Sequence, residues 1–176
     1  GAYVSVILLT DHGISPWIGM FMGAFLAAAI GAVIAVISSR LSISNVYFAL
    51  FTMALWTVVV ALASVWQLLG GAQGLLVPPT GGALDFNLSK EAFYYVILGL
   101  VAVCAVLTTL LLRSQLGLSF IAYREDPEAA RASGVSVMRT QLSATVISAF
   151  MTAFAGAFYA MYFRYISPDD ILNFNI

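Results

Sequence analysis

Four stretches of this chain contain no Asp, Glu, Lys or Arg: residues 12–39, 41–84, 92–112 and 140–163. Each is at least as long as the roughly 20 apolar residues that carry a helix across a bilayer core of about 30 Å. A backbone in that core must satisfy its own N–H and C=O groups, which leaves helices or closed barrels. Membrane strands alternate in polarity over about ten residues, and these continuous apolar runs do not alternate. Only 9% of the residues are charged and 62% are hydrophobic. Soluble domains average about 25% and 45–50%, so there are too few charges here to coat a water-soluble globule. The sequence predicts an all-α fold, a polytopic transmembrane helical bundle.

The same arithmetic removes several functions. A net charge of −1 supplies no basic field for nucleic acid. Cys104 is the single cysteine, inside an apolar run, and His12 is the single histidine, in a polar break. Neither has the companions that a metal site or a catalytic dyad requires. The acids stand in loops or at span ends, so no carboxylate pair is set at membrane depth for catalysis. The sequence predicts no metal site and no enzyme.

Span by span, residues 2–10 read as the last turns of a helix whose start is missing, a partial first span. The chain opens on Gly1, and a new polar stretch begins at Ser167-Pro168-Asp169-Asp170. It is therefore expected to be a middle piece of a longer protein. Pro16 suits the first position of the next helix, which should run to about residue 37 or 38. Along it Gly19, Gly23, Ala27, Gly31 and Ala35 recur every four residues. Such a small-residue stripe lets a neighbouring backbone come close, which is how helices associate where lipid offers no hydrophobic drive. The next spans cover about 45–69, 91–112 and 140–163, making four full spans. The last carries a second ladder, Ser148, Thr152, Gly156 and Ala160. The run Gly70-Gly71-Ala72-Gln73-Gly74 lacks the Gly-Lys-Ser/Thr of a phosphate loop and leaves a membrane span, so it reads as a turn.

The most polar segment, 113–139, holds Arg113, Arg124, Arg131 and Arg139, four of the seven basic residues. The positive-inside rule makes it cytoplasmic. Parity then puts Arg40 on the same side, and Lys90 and Arg164 on the other. Trp17, Trp66, Tyr94, Tyr95, Tyr162 and Tyr165 gather near the outer interface, where amphipathic rings are favoured. Within the loop, Asp126 can cap a helix start, Pro127 presets its first position and Glu128 suits the dipole. Ala129, Ala130 and Ala132 favour helix, and Gly134 can take the left-handed stop. One helix of about seven residues is expected, roughly 10 Å long. A helix that short needs a surface to rest against.

Glu128-Ala129-Ala130, three residues, then Gly134 resembles the E-A-A-x-x-x-G signature of ATP-binding-cassette importer permeases. The wider run 122–135 resembles, more narrowly, the branched-chain amino acid permeases of the LivM type. So do Val46-Tyr47-Phe48-Ala49-Leu50-Phe51-Thr52, the turn at 69–75, and Tyr165-Ile166-Ser167-Pro168-Asp169. These stretches cover most of the chain in the expected order. The importer signature's Ile-x-Leu-Pro tail is absent here, since no proline lies between Pro127 and Pro168.

The resemblance implies that 1–176 belongs to a single transmembrane permease domain in a bacterial cytoplasmic (inner) membrane. It implies inward movement of branched-chain or hydrophobic amino acids. Arg124, Glu125, Asp126, Pro127, Glu128, Ala129, Ala130 and Gly134 would couple it to cytoplasmic ATPase subunits. The chain itself would hold no cofactor, ATP and magnesium being bound by those subunits. A second homologous permease subunit and a periplasmic substrate-binding protein would complete the assembly. Tyr47, Thr52, Trp56 and Gln73 are polar or aromatic groups at or near membrane depth that could line a pathway. Urea, amides or aromatic acids are alternative cargoes. An ion-gradient-driven carrier or channel is the rival reading, although such proteins usually need an ionisable group inside the membrane.

Overall fold

The computed structural model describes residues 1–13, 15–41, 45–66, 71, 74–76 and 90–167, with backbone alone for 11, 12, 45, 46 and 90. Seven helices run through them: α1 (Ala2–His12), α2 (Pro16–Arg40), α3 (Asn45–Val65), α4 (Lys90–Arg113), α5 (Gln115–Glu125), α6 (Pro127–Ala132) and α7 (Val137–Phe163). Two short strands, β1 (Leu75–Leu76) and β2 (Tyr165–Ile166), pair antiparallel. α2, α3, α4 and α7 are long and apolar enough to cross a membrane. The fold is all-α and polytopic, as the charge-free runs predicted.

α1, α2 and α7 form the packed heart. α2 and α7 run antiparallel, in one register from end to end. Phe21 meets Phe154 and Phe25 meets Phe150, with ring centroids 5.0 and 5.3 Å apart. Deeper along the seam, a Cβ on Gly31 would stand 3.0 Å from Ala149 Cβ. At the far end Gln141 Nε2 donates to Ser38 Oγ at 3.2 Å. α1 lies against α2 where a Cβ on Gly19 would come within 3.1 Å of the Ser5 backbone. Val6, Leu9, Met20, Phe93, Phe158, Met161 and Ile166 close the core around this trio.

The α2 stripe lies in this contact: Gly19, Gly23, Gly31 and Ala35 are buried, and Ala27 is half-buried beside buried Ala28. The α7 ladder does not form the matching face. Ser148 and Thr152 are exposed, Gly156 is half-buried, and nothing lies within 4 Å of a Cβ placed on Gly156. Of the four, Ala160 alone is buried. The contacts with α2 and the chain start fall one step round the helix, on Thr145, Ala149 and Ala153. Both series are small and spaced by four, so spacing could not choose between two adjacent faces.

Other boundaries also differ from expectation. α2 continues through Arg40, α3 stops at Val65, and α7 starts at Val137 in place of residue 140. α5 was not anticipated. Ser114 is extended (φ −83°, ψ 170°) and its side chain accepts from the Gly117 N–H at 3.4 Å, so a fresh helix begins one residue after α4 ends. The β1–β2 pair was not anticipated either. It sets Leu75 opposite Ile166 and Leu76 opposite Tyr165. Gly74 makes it possible: its φ is +73°, and a Cβ there would collide with the Ile166 carbonyl oxygen. Arg164, left-handed at φ 54°, turns the chain out of α7 into β2.

Candidate functional site

The antiparallel α2–α7 register puts Arg40 beside the start of α7. α4 reaches the same end, since Leu107 and Leu111 share a cleft with Val146 and Ile147 of α7. Five arginines therefore collect there: Arg40, Arg113, Arg124, Arg131 and Arg139. Lys90 and Arg164 belong to the opposite end, with the β1–β2 ribbon. We call these the loop end and the ribbon end. Two charge populations predicted from parity alone fall at opposite ends of the fold.

α6 stands at the loop end, and its termini are specified atom by atom. Asp126 Oδ1 accepts from the Glu128 and Ala129 N–H groups at 2.8 and 3.2 Å. These are two of the donors that a helix start leaves unbonded. Pro127 occupies the first helical position, where its missing N–H costs nothing. At the other terminus Gly134 takes φ +84°. Its N–H donates to Arg131 O at 3.1 Å, and the Val135 N–H donates to Ala130 O at 3.0 Å. That double closure is the Schellman stop that glycine favours.

The helix rests on one buried side chain, with Pro127 half-buried at its start. Ala130 is buried at 4% exposure, whereas Asp126, Glu128, Ala129, Arg131, Ala132, Ser133 and Gly134 are exposed. Arg124 and Glu125 form a 2.8 Å ion pair with both side chains largely in solvent, so it adds little stability. Burial pushes the Tyr123 hydroxyl pKa up. The arrangement is a short, stiff, charged knob. It projects from the membrane end, with its backbone ends sealed and its polar face unoccupied by other described residues of the chain.

The residues expected to line a pathway are less united. Tyr47 is 67% exposed, while Thr52 and Trp56 share the half-buried face of α3. Thr52 spends its hydroxyl on Ala49 O at 2.9 Å. Gln73 lies outside the described residues. None of the three described residues lines either of two clefts that the described residues form between the spans. One cleft, about 410 Å³, lies between α4 and α7 toward the ribbon end, walled by Phe93, Tyr94, Ile97, Phe158, Tyr159 and Tyr162. The other, about 350 Å³, lies between α2, α4 and α7 toward the loop end. Sequence reasoning missed both. Clustered aromatics in 93–95 and 158–163 were the available signal, and the sequence alone marks them only as interface anchors.

Comparison with known proteins agrees with the geometry. Residues 1–176 match the family model described as branched-chain amino acid transport system / permease component. The chain is 28% identical over 195 residues to the high-affinity branched-chain amino acid transport system permease protein LivM of Escherichia coli strain K12. The same figures hold for the LivM protein of Salmonella typhimurium strain LT2. Each alignment takes in 97% of this chain and 45% of the relative, so the chain spans under half the length of the curated relatives it matches. No solved structure matches it. With four charge-free spans in the fold and a family model matched from its first residue to its last, this chain belongs to the branched-chain amino acid transport system permease family.

Proposed function

We propose that this chain belongs to the membrane-spanning permease subunit of an ATP-binding-cassette importer for branched-chain or other hydrophobic amino acids. In this reading 1–176 lies within one transmembrane permease domain in the bacterial inner membrane, with loop 113–139 cytoplasmic. Hydrolysis belongs to separate ATPase subunits that bind ATP and magnesium. A second homologous permease and a periplasmic binding protein complete the assembly. Coupling runs through α6 and its flanks, residues 124–134.

One observation carries this reading: α6 is capped at both ends, seated by buried Ala130 and half-buried Pro127, and presents its charged face away from the other described residues. A helix of six residues is marginal in water. Here its form is fixed by caps, so a partner meets a finished shape and spends no ordering entropy on it. The charge-free interiors of the spans suit passage of zwitterionic solutes with apolar side chains. They offer no carboxylate for proton coupling, which weighs against an ion-driven carrier.

The test is retention of the ATPase subunits by the full-length permease, wild type against Glu128→Arg with Gly134→Leu. That double change reverses one charge on the exposed face and forces a side chain into the φ +84° position. Co-purified ATPase should fall by about tenfold or more, the scale of losing an interface anchor, while membrane insertion is unchanged. Equal retention by both forms would remove α6 from the coupling role.

A further inference from the structure

α2 and α7 touch at three depths in one register, and the polar contact among them is the one that the four-residue repeats of the two helices do not reproduce. At the loop end the Gln141 amide donates to Ser38, with 7% and 0% exposure. At mid-depth Gly31 admits Ala149, and toward the ribbon end the phenylalanine pairs 25–150 and 21–154 interlock. Because the phenylalanines on both helices are spaced by four, a slide by one helical turn, about 5.4 Å, would re-form one ring pair with a different partner, but it would break the Gln141–Ser38 bond. It would pull the Ser38 hydroxyl and the Gln141 amide away from each other in a low-dielectric seam and bring a different side chain against Gly31. Interlocked seams have discrete arrangements and do not deform continuously.

α7 is also tied closely to α6. Only residues 133–136 separate them. The path of that link is held by the Gly134 and Val135 N–H bonds back into α6, and by the Thr140 N–H bond to Ser136 O at 3.0 Å. Any displacement of α6 therefore arrives at the first turn of α7, where Thr140 and Gln141 are buried. Gln141 is the side chain there that reaches across to α2.

We infer that α2 and α7 cross the membrane as one rigid body moved by α6, with Ser38 and Gln141 as positioning residues that lock the two helices together where the push arrives. The inference rests on the importer reading, because it takes α6 as the helix that the ATPase moves. It assigns to Ser38 and Gln141 a role in transmission, distinct from the coupling surface itself.

The experiment uses the full-length permease reconstituted with its ATPase subunits and binding protein, with leucine as the probe. ATP turnover and leucine uptake are read together. Ser38→Ala and Gln141→Leu should keep the ATPase subunits and their turnover. Leucine moved per ATP should fall about fivefold, the scale of mutations inside a coupled element, while Ser38→Thr, which keeps the hydroxyl, stays within about twofold. An unchanged ratio overturns the inference, and so does a parallel fall in assembly, turnover and uptake, which marks a purely structural contact. In a second arm, Gly31→Cys with Ala149→Cys is oxidised across the seam, where a disulfide needs a Cβ separation of about 3.8 Å. Uptake should survive the cross-link; a block reversed by reduction shows that the helices must slide, and the rigid body is wrong. If wild type holds no ATPase subunit or moves no leucine, the importer reading fails first and this inference falls with it.

Discussion

α2 and α4 are nearly the same length, 25 and 24 residues, and both are free of charge along their interiors, yet they pack oppositely. Nine residues of α2 are buried, and six of the nine are glycine or alanine. In α4, among its described residues, Phe93 alone is buried. Val101, Val103, Val106, Leu107 and Leu110 are each more than half exposed. Hydrophobicity does not separate these helices. In lipid a leucine gains about as much from acyl chains as from a neighbouring helix, so close backbone approach decides which helices associate. α2 has the stripe that permits it. α4 has one isolated glycine, Gly99, and nothing lies within 4 Å of a Cβ there.

The largest effect that tests this contrast comes from leucine at each of those two glycines. Gly31→Leu drives three further carbons beyond a Cβ that already sits 3.0 Å from Ala149. Overpacking of that kind costs about 1–3 kcal/mol. Gly99→Leu meets open space and should instead gain about 0.5–1 kcal/mol from helix propensity. Thermal unfolding of the full-length permease in detergent measures both. A loss at Gly99 as large as that at Gly31 would break the contrast, and would identify the bare face of α4 as a helix contact in the assembled protein.

A smaller effect comes from Gly19→Ala, one methyl group on the same stripe. The atoms it meets at 3.1 Å are Ser5 Cα and the Ser5 carbonyl oxygen. Backbone cannot step aside as a flexible side chain can, so α1 must move away from α2. The expected loss is about 1 kcal/mol, with strain outweighing the propensity gain. The same unfolding assay reads it, and increased stability would show that α1 has room to spare.

Several of these features are legible without coordinates. Charge-free runs give the four spans, because every charge at membrane depth is costly. Asp126, Pro127 and Gly134 give both ends of α6, because caps are local chemistry. What the sequence conceals is short, non-local or degenerate. The β1–β2 ribbon joins two-residue segments about ninety positions apart, and nothing local announces it. α5 hides because Leu116, Leu118 and Ile121 stay exposed on different sides of the helix, leaving no apolar face with a 3.6-residue period. The clefts depend on how α4 leans on α7, which no single helix encodes. Ala130 is the α6 residue whose burial sequence could not single out, since Ala129 and Ala132 have the same side chain.

The α7 ladder is the sharpest case, and it yields the smallest and most discriminating expectation. Thr145, Ala149, Ala153 and Ala157 form one series, and Ser148, Thr152, Gly156 and Ala160 form another, displaced by about 60° round the helix at 100° per residue. Glycine in the second series gives it the look of the contact face. In the structure the first series meets Gly31 and Gly1, whereas Gly156 has no neighbour within 4 Å of an added Cβ. Gly156→Ala therefore adds a methyl group to open space and removes a flexible residue from mid-helix. Its stability should rise by about 0.5–1 kcal/mol. Ala153→Leu, on the other series, should lose stability in the same assay, since the Gly1 backbone lies against Ala153. The pair of signs, more than either size, fixes which face of α7 carries the seam. If Gly156→Ala lost stability instead, the small residues would pack in the register that their spacing suggests, and a partner helix would have to lie against it.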